Sequence, residues 1–160
     1  MQAPGTGLAG SYLLRLLLPS SVDIEVGRAG CHHFVKGSYL YVGSALGPGG
    51  VRARLGHHLK QSTRLHWHID YLRQHAEIDE IWFVENPQRL EHRWAEVVTQ
   101  LPGCQLVTPG LGASDCGCIT HLFYFEVAPQ VQQLQLAMDG AGDNSLLLQR
   151  WQAEGANHSG

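Results

Sequence analysis

Residues 10–18 read Gly-Ser-Tyr-Leu-Leu-Arg-Leu-Leu-Leu, an apolar run of strand length broken only by Arg15 and stopped by Pro19 and two serines. Residues 22–26, Val-Asp-Ile-Glu-Val, alternate apolar with acidic, the period of a half-exposed strand, and Gly-Arg-Ala-Gly closes it. A third strand is predicted at 37–43, with Tyr39 and Tyr41 on one face and Leu40 and Val42 on the other. The links between these strands are too short for crossover helices, so they are expected to pair antiparallel. Gly-Pro-Gly-Gly at 47–50 marks a turn, followed by a predicted helix at about 50–60 on Val51, Leu55 and Leu59. A second helix is predicted at about 65–75 on Leu65, Ile69, Leu72 and Ala76, then a strand at 77–84. Pro87 opens a predicted helix at about 88–101 whose apolar face is Leu90, Trp94, Val97, Val98 and Leu101. Short strands are expected at 103–107 and 121–127, either side of a loop rich in Gly and Cys.

This order predicts an α+β fold, a small mixed or antiparallel sheet flanked by helices, occupying residues 8–127. The first ten residues are small and Gly-rich and are expected to fray. Residues 128–160 read as a Gln-rich tail, dispensable for folding, with one short amphipathic helix around 144–152. No internal repeat occurs.

Composition adds limits. With 44% apolar and 16% charged residues in 160, the chain is of globular type and long enough to bury a core without metals or disulfides. No apolar run approaches the roughly 20 residues a membrane helix needs, and the run near Arg15 lacks a basic flank or cleavage site, so neither a membrane span nor a signal peptide is expected. Four cysteines, Cys31, Cys104, Cys116 and Cys118, are too few for a disulfide scaffold; reduced thiols in a cytoplasmic protein are the expectation. The net charge of −3 argues against indiscriminate nucleic-acid binding. The charges are nevertheless polarised. Residues 51–75 carry Arg52, Arg54, Lys60, Arg64 and Arg73 against Asp70 alone, while residues 76–100 are acidic, which gives the molecule a potential phosphate-binding face.

The candidate chemistry starts with two tyrosine motifs, Gly-Ser-Tyr at 10–12 and Tyr-Val-Gly at 41–43, followed by Arg-Leu-Gly-His-His at 54–58. Arg54 and His58 stand four apart on a helix and share one side, at the edge of its buried stripe. A cation held near hydroxyl-bearing side chains suits a phosphate. Glu91 falls within the apolar span of its helix, beside Val98, where a carboxylate requires a partner. Either a divalent cation or an arginine, Arg54 or Arg93, would serve.

In this order, and with His-Trp-His-Ile-Asp-Tyr-Leu at 66–72 and the segment 112–125, the motifs resemble the GIY-YIG nuclease superfamily, in a branch sometimes fused to a helix-hairpin-helix DNA glycosylase. The resemblance implies hydrolysis of DNA phosphodiester bonds in repair, on branched or damaged DNA, with RNA the other nucleic acid to test. It implies one Mg²⁺ or Mn²⁺ held by Glu91, with Tyr12, Tyr41, Arg54 and His58 as catalytic residues. Three departures accompany it. Ser11 stands where the family name has isoleucine, the two tyrosines lie 29 positions apart, and Ser44 and Ala45 follow Gly43 where many members carry lysine. Arg52 or Lys60 would have to substitute for that cation.

Two further clusters are candidates. His66 and Asp70, four apart, can touch and orient an imidazole toward phosphate, whereas His68 points elsewhere unless the segment is extended. Asp115, Cys116, Cys118 and His121 offer ligands suited to a structural Zn²⁺, although the C-x-C spacing is not that of the usual knuckle and loop-packing thiols are the plainer reading. Two alternatives to the enzyme therefore stand: a non-catalytic nucleic-acid-binding or adaptor module, and a zinc-stabilised interaction domain.

Overall fold

A computed structural model describes residues 3–60, 65, 67–107, 121–142 and 146–153. Eight strands are described: β1 (Gly10–Leu18), β2 (Val22–Glu25), β3 (Cys31–Phe34), β4 (Gly37–Ala45), β5 (Glu77–Val84), β6 (Gln105–Leu106), β7 (Leu122–Phe125) and β8 (Gln149–Gln152). The helices are α1 (Gly50–Leu59), α2 (His68–Arg73), α3 (Glu91–Val98) and α4 (Val131–Gly140). Six strands form one sheet in the order β6-β7-β4-β1-β5-β8, and every pairing in it is antiparallel. The α+β expectation holds, with helices on both faces of the sheet.

The alternation of β1 divides the molecule. Tyr12, Leu14, Leu16 and Leu18 face one core with Tyr39, Tyr41, Phe83 and the buried side of α1 and α2. Leu13 faces the other with Leu40, Val42, Trp82 and the apolar stripes of α3 and α4. The predicted split of the 37–43 strand into a tyrosine face and an aliphatic face is therefore observed. A bulge between Arg15 and Leu16 lets Leu16 pair with Ile78 while Arg15 pairs with Glu80, so Asp79 is the extra residue. Arg15 bonds that Asp79 through Nε and Nη2, at 2.9 and 3.1 Å, and reaches the Pro129 carbonyl at 3.0 Å. Glu80, 2% exposed, is gripped from the other side by Arg150 on β8.

Several elements differ from the sequence expectation. Cys31, His32 and His33 lie in β3; β2 and β3 form a separate hairpin, so the 22–26 segment does not join the β1–β4 pair. This hairpin buries Ile24, Val26 and Phe34 in the first core. The first residues do not behave as a fraying end. The Thr6 and Leu8 carbonyls accept from the Arg52 and Val51 amides, each at 2.9 Å, satisfying donors that a helix start leaves without intrahelical partners. Gly50 has a φ of 63° and no room for a Cβ against the Gly7 and Leu8 backbone, which fixes glycine there. The α2 helix starts three residues later than predicted, after an extended Trp67 whose amide is capped by Asp70 Oδ2 at 2.9 Å.

The segment after Pro129 departs most. Its helix is α4 at 131–140, not 144–152, and 149–152 is a strand paired with β5. Leu134 and Met138 are fully buried against α3.

Candidate active site

Tyr12 projects from β1 beneath α1, 1% exposed, and its hydroxyl lies 2.6 Å from His58 Nε2. The register of β1 with β4 places Tyr12 directly opposite Gly43. A Cβ on Gly43 would collide with the Tyr12 hydroxyl and ring, so the glycine of Tyr-Val-Gly is there to let the phenol lie over the strand. Replacing Gly43 by alanine is expected to push the hydroxyl off His58 and cost about 1–3 kcal/mol, as overpacking of a buried site does. A urea titration checks this; an unchanged midpoint would contradict the packing role.

His58 is 2% exposed, and its ring also meets Tyr41, edge to face with centroids 6.0 Å apart. Burial, with the His57, Arg54 and Arg73 charges adding to it, lowers the His58 pKa from 6.5 to about 3. The imidazole is neutral at physiological pH. Burial also raises the Tyr12 pKa well above 10, with Tyr41 and Glu91 acting in the same direction; Arg54, through its charge and a hydrogen bond, opposes the rise without overcoming it. Tyr41, Arg54 and Glu91, from a strand and two helices, thus lie within electrostatic reach of Tyr12, which His58 contacts directly.

Arg54 is held rather than free to swing. Its Nη1 donates to the Ser44 carbonyl at 2.8 Å, and its guanidinium lies 4.6 Å from the Trp67 ring centroid. Ser44, at the position where a lysine was missed, thus contributes its backbone to the arginine. Arg52 and Lys60 are exposed on α1 and just beyond it.

Glu91 opens α3, where a helix N-terminus favours a carboxylate. Its partners are Arg89, Nη1 to Oε1 at 3.3 Å, and His121, Nδ1 to Oε2 at 3.5 Å, in place of the Arg54 or Arg93 pairing weighed from spacing. Arg89 was missed because a helix starting at 88 would turn residues 89 and 91 to different sides; the observed helix starts at Glu91 and leaves Arg89 outside it. Burial lowers the His121 pKa, with the Glu91 charge opposing. Glu91 is a hard oxygen donor of the kind Mg²⁺ and Mn²⁺ take, and both of its oxygens are engaged by Arg89 and His121. Among the described residues no group of three His, Cys, Asp or Glu side chains is arranged to hold a metal.

Asp70 is buried and faces His57, 3.2 Å from Nε2, besides capping Trp67. His57 and Trp67, neither singled out from the sequence, meet edge to face with ring centroids 4.7 Å apart. Their contact bridges two helices, and periodicity within either helix carries no sign of it. His68 is the first residue of α2. His66 lies outside the described residues, as do Asp115, Cys116 and Cys118 of the expected zinc loop; His121 of that group faces Glu91. No described helix is long and apolar enough to cross a membrane.

No curated protein and no solved structure matches the chain. The model of a family described as a domain of unknown function, DUF123, matches residues 11–142. That family is distinct from the GIY-YIG nuclease superfamily, so the resemblance drawn from the tyrosine motifs is corrected. With it go the GIY-YIG label and the support that likeness lent to the nuclease and metal-binding terms: the family match carries neither, and no metal-holding group is present among the described residues. From the start of β1 to the end of α4 one family model runs through both cores, and the chain belongs to the DUF123 family.

Proposed function

We propose that the protein hydrolyses phosphodiester bonds in DNA at the Tyr12–Arg54–His58–Glu91 cluster, assisted by a divalent cation. The observation that carries this reading is the buried 2.6 Å contact between the Tyr12 hydroxyl and a neutral His58, beside a fixed guanidinium. His58 orients the Tyr12 hydroxyl as a positioning residue. Arg54, anchored on Ser44 and Trp67, offers donors to the equatorial phosphate oxygens, whose charge grows in the transition state. The Tyr12 and Tyr41 hydroxyls would orient the attacking water, whose proton would pass through the Tyr12 hydroxyl to His58 Nε2 and from there return to the departing oxygen. A Mg²⁺ or Mn²⁺ at Glu91 would neutralise charge on the phosphate and the departing oxygen. The same reading is consistent with a cytoplasmic site of action.

A second reading is favoured by one observation. Tyr12 and His58 both have pKa values pushed away from neutrality, so neither is poised to take a proton in the unliganded protein. A non-catalytic module that grips a DNA phosphate would have this property.

Cleavage of single-stranded, duplex, flap and four-way-junction DNA, and of RNA, with Mg²⁺, Mn²⁺ or EDTA separates the two. Cation-dependent cutting is expected, falling by about 10²–10³ in Arg54→Ala and lost in Glu91→Ala. Binding to every substrate without cutting would replace hydrolysis by the binding module.

A further inference from the structure

Two cavities share a wall on α1. The smaller, about 210 Å³, is bordered by Arg54 and Trp67; the larger, about 830 Å³, by Lys60, Arg73 and Trp151. Ala53 and His57 line both, so the two hollows adjoin along the exposed side of the helix. A ligand that fills both is elongated. The α1 helix is about 15 Å long, room for about four nucleotides at the stacked spacing of about 3.4 Å.

The lining specifies the ligand's chemistry. Each end has a cation and an indole in its wall: Arg54 over Trp67 at one, Lys60 and Trp151 at the other, where Glu77 also lines the cavity. Arg73 is committed to the carbonyls of His58, Leu59 and Ala76 and to the nearby Glu77 charge, so Lys60 is the cation that end presents. Cations and aromatic rings in the walls of one groove suit a chain of phosphates and unpaired bases, because a base offers its π-face only when it is not stacked inside a duplex.

Building on the phosphodiester reading, we propose that this groove holds a single-stranded stretch of DNA, with phosphates at Arg54 and Lys60 and a base against Trp151. The inference names the substrate's form: a free strand, flap or unpaired end, not an intact duplex.

Fluorescence anisotropy with a labelled oligothymidylate, the matching duplex and an abasic strand, all in EDTA, tests it. Trp151→Ala is expected to weaken single-strand binding by about five- to 150-fold, with affinity for the abasic strand unchanged and Trp151→Phe restoring most of the loss. Gly56→Leu is a second variant, independent of β8. A Cβ there meets only Ala3 at 3.8 Å, so the backbone accepts a side chain that projects into the groove. It is expected to weaken single-strand binding without lowering the melting temperature. Wild-type single-strand affinity in both Trp151→Ala and Gly56→Leu, with Arg54→Ala still impaired, would overturn the groove and leave the phosphodiester reading standing. Duplex bound as tightly as single strand would also overturn the groove. Unchanged binding in Arg54→Ala as well would overturn both.

Discussion

A chain ending at Pro129 is expected to show no cooperative thermal transition. The truncation removes α4, whose Leu134 and Met138 are fully buried against α3 and the aliphatic face of the sheet. Losing one such side chain costs about 2–5 kcal/mol, and the two together approach the whole stability of a typical domain, about 5–15 kcal/mol. The truncation also removes β8, exposing the edge of β5, and deletes Arg150, whose Nη2 lies 2.6 Å from Glu80 Oε2. Glu80 would keep Arg15 at 3.1 Å and the Trp82 indole N–H at 2.8 Å, but would lose the partner that contributes most to holding its pKa down. The loss of Arg150 adds to the cost, offset in part by the partners Glu80 retains. Circular dichroism on heating checks the expectation. A sigmoidal transition within a few degrees of the full chain would show that residues 130–152 lie outside the cooperative unit. The milder Leu134→Ala is expected to fold and melt roughly 5–15 °C lower.

That expectation reverses the one drawn from the sequence, and the reason is physical. The tail's apolar residues are spaced among glutamines, and Leu136, 72% exposed, falls off the Leu134–Met138 stripe, so which side α4 buries is set by its contact with α3. Likewise Gln149–Gln152 is polar and reads as anything but a strand; it is an edge strand recruited by β5 and fixed by the Arg150–Glu80 pair. Where a segment's own pattern was strong, it was legible. The 10–18 run, the 77–84 run and the tyrosine-bearing strand were found with nearly their observed limits, because their buried faces are written in two-residue alternation or continuous apolar stretches.

The candidate site divides the same way. Arg54 and His58 were placed on one side of α1 by helical spacing alone, and Glu91 was marked as a carboxylate in want of a partner. That Tyr12 reaches His58, that Gly43 leaves room for it and that Trp67 carries Arg54 all depend on strand register and on contact between helices. No spacing rule within one element contains them. The family likeness drawn from short motifs failed at a different step: a tyrosine, a glycine and an arginine in order are common enough that the order alone did not fix the family, which the match over residues 11–142 assigns to DUF123.

His58 makes the second large prediction, one that holds whatever the protein acts on. Its pKa falls from 6.5 to about 3 on folding because it is buried beneath α1, beside His57, Arg54 and Arg73, with the Tyr12 hydroxyl at hydrogen-bonding distance. The unfolded chain therefore binds a proton at this residue between pH 6.5 and 3 that the folded chain does not. Stability then rises with pH across that window; it is fully present above 6.5 and is lost as pH falls. The slope approaches about 1.4 kcal/mol per pH unit, and the full drop is on the order of 5 kcal/mol. Between pH 7 and 5 the loss is about 2 kcal/mol, which moves a urea midpoint down by about 1 M. The interval from pH 7 to 5 lies above the ordinary carboxylate value of 4.5, below which Glu80 is held in the fold, so the carboxylate network does not obscure it. His121, whose pKa burial also lowers, acts in the same direction and leaves a residual slope. In His58→Gln, whose amide can still meet the Tyr12 hydroxyl but cannot take up a proton, the midpoint should change far less between pH 7 and 5. If wild type and His58→Gln lose the same stability over that interval, the acid sensitivity belongs to other groups, and His58 is not held neutral by its burial.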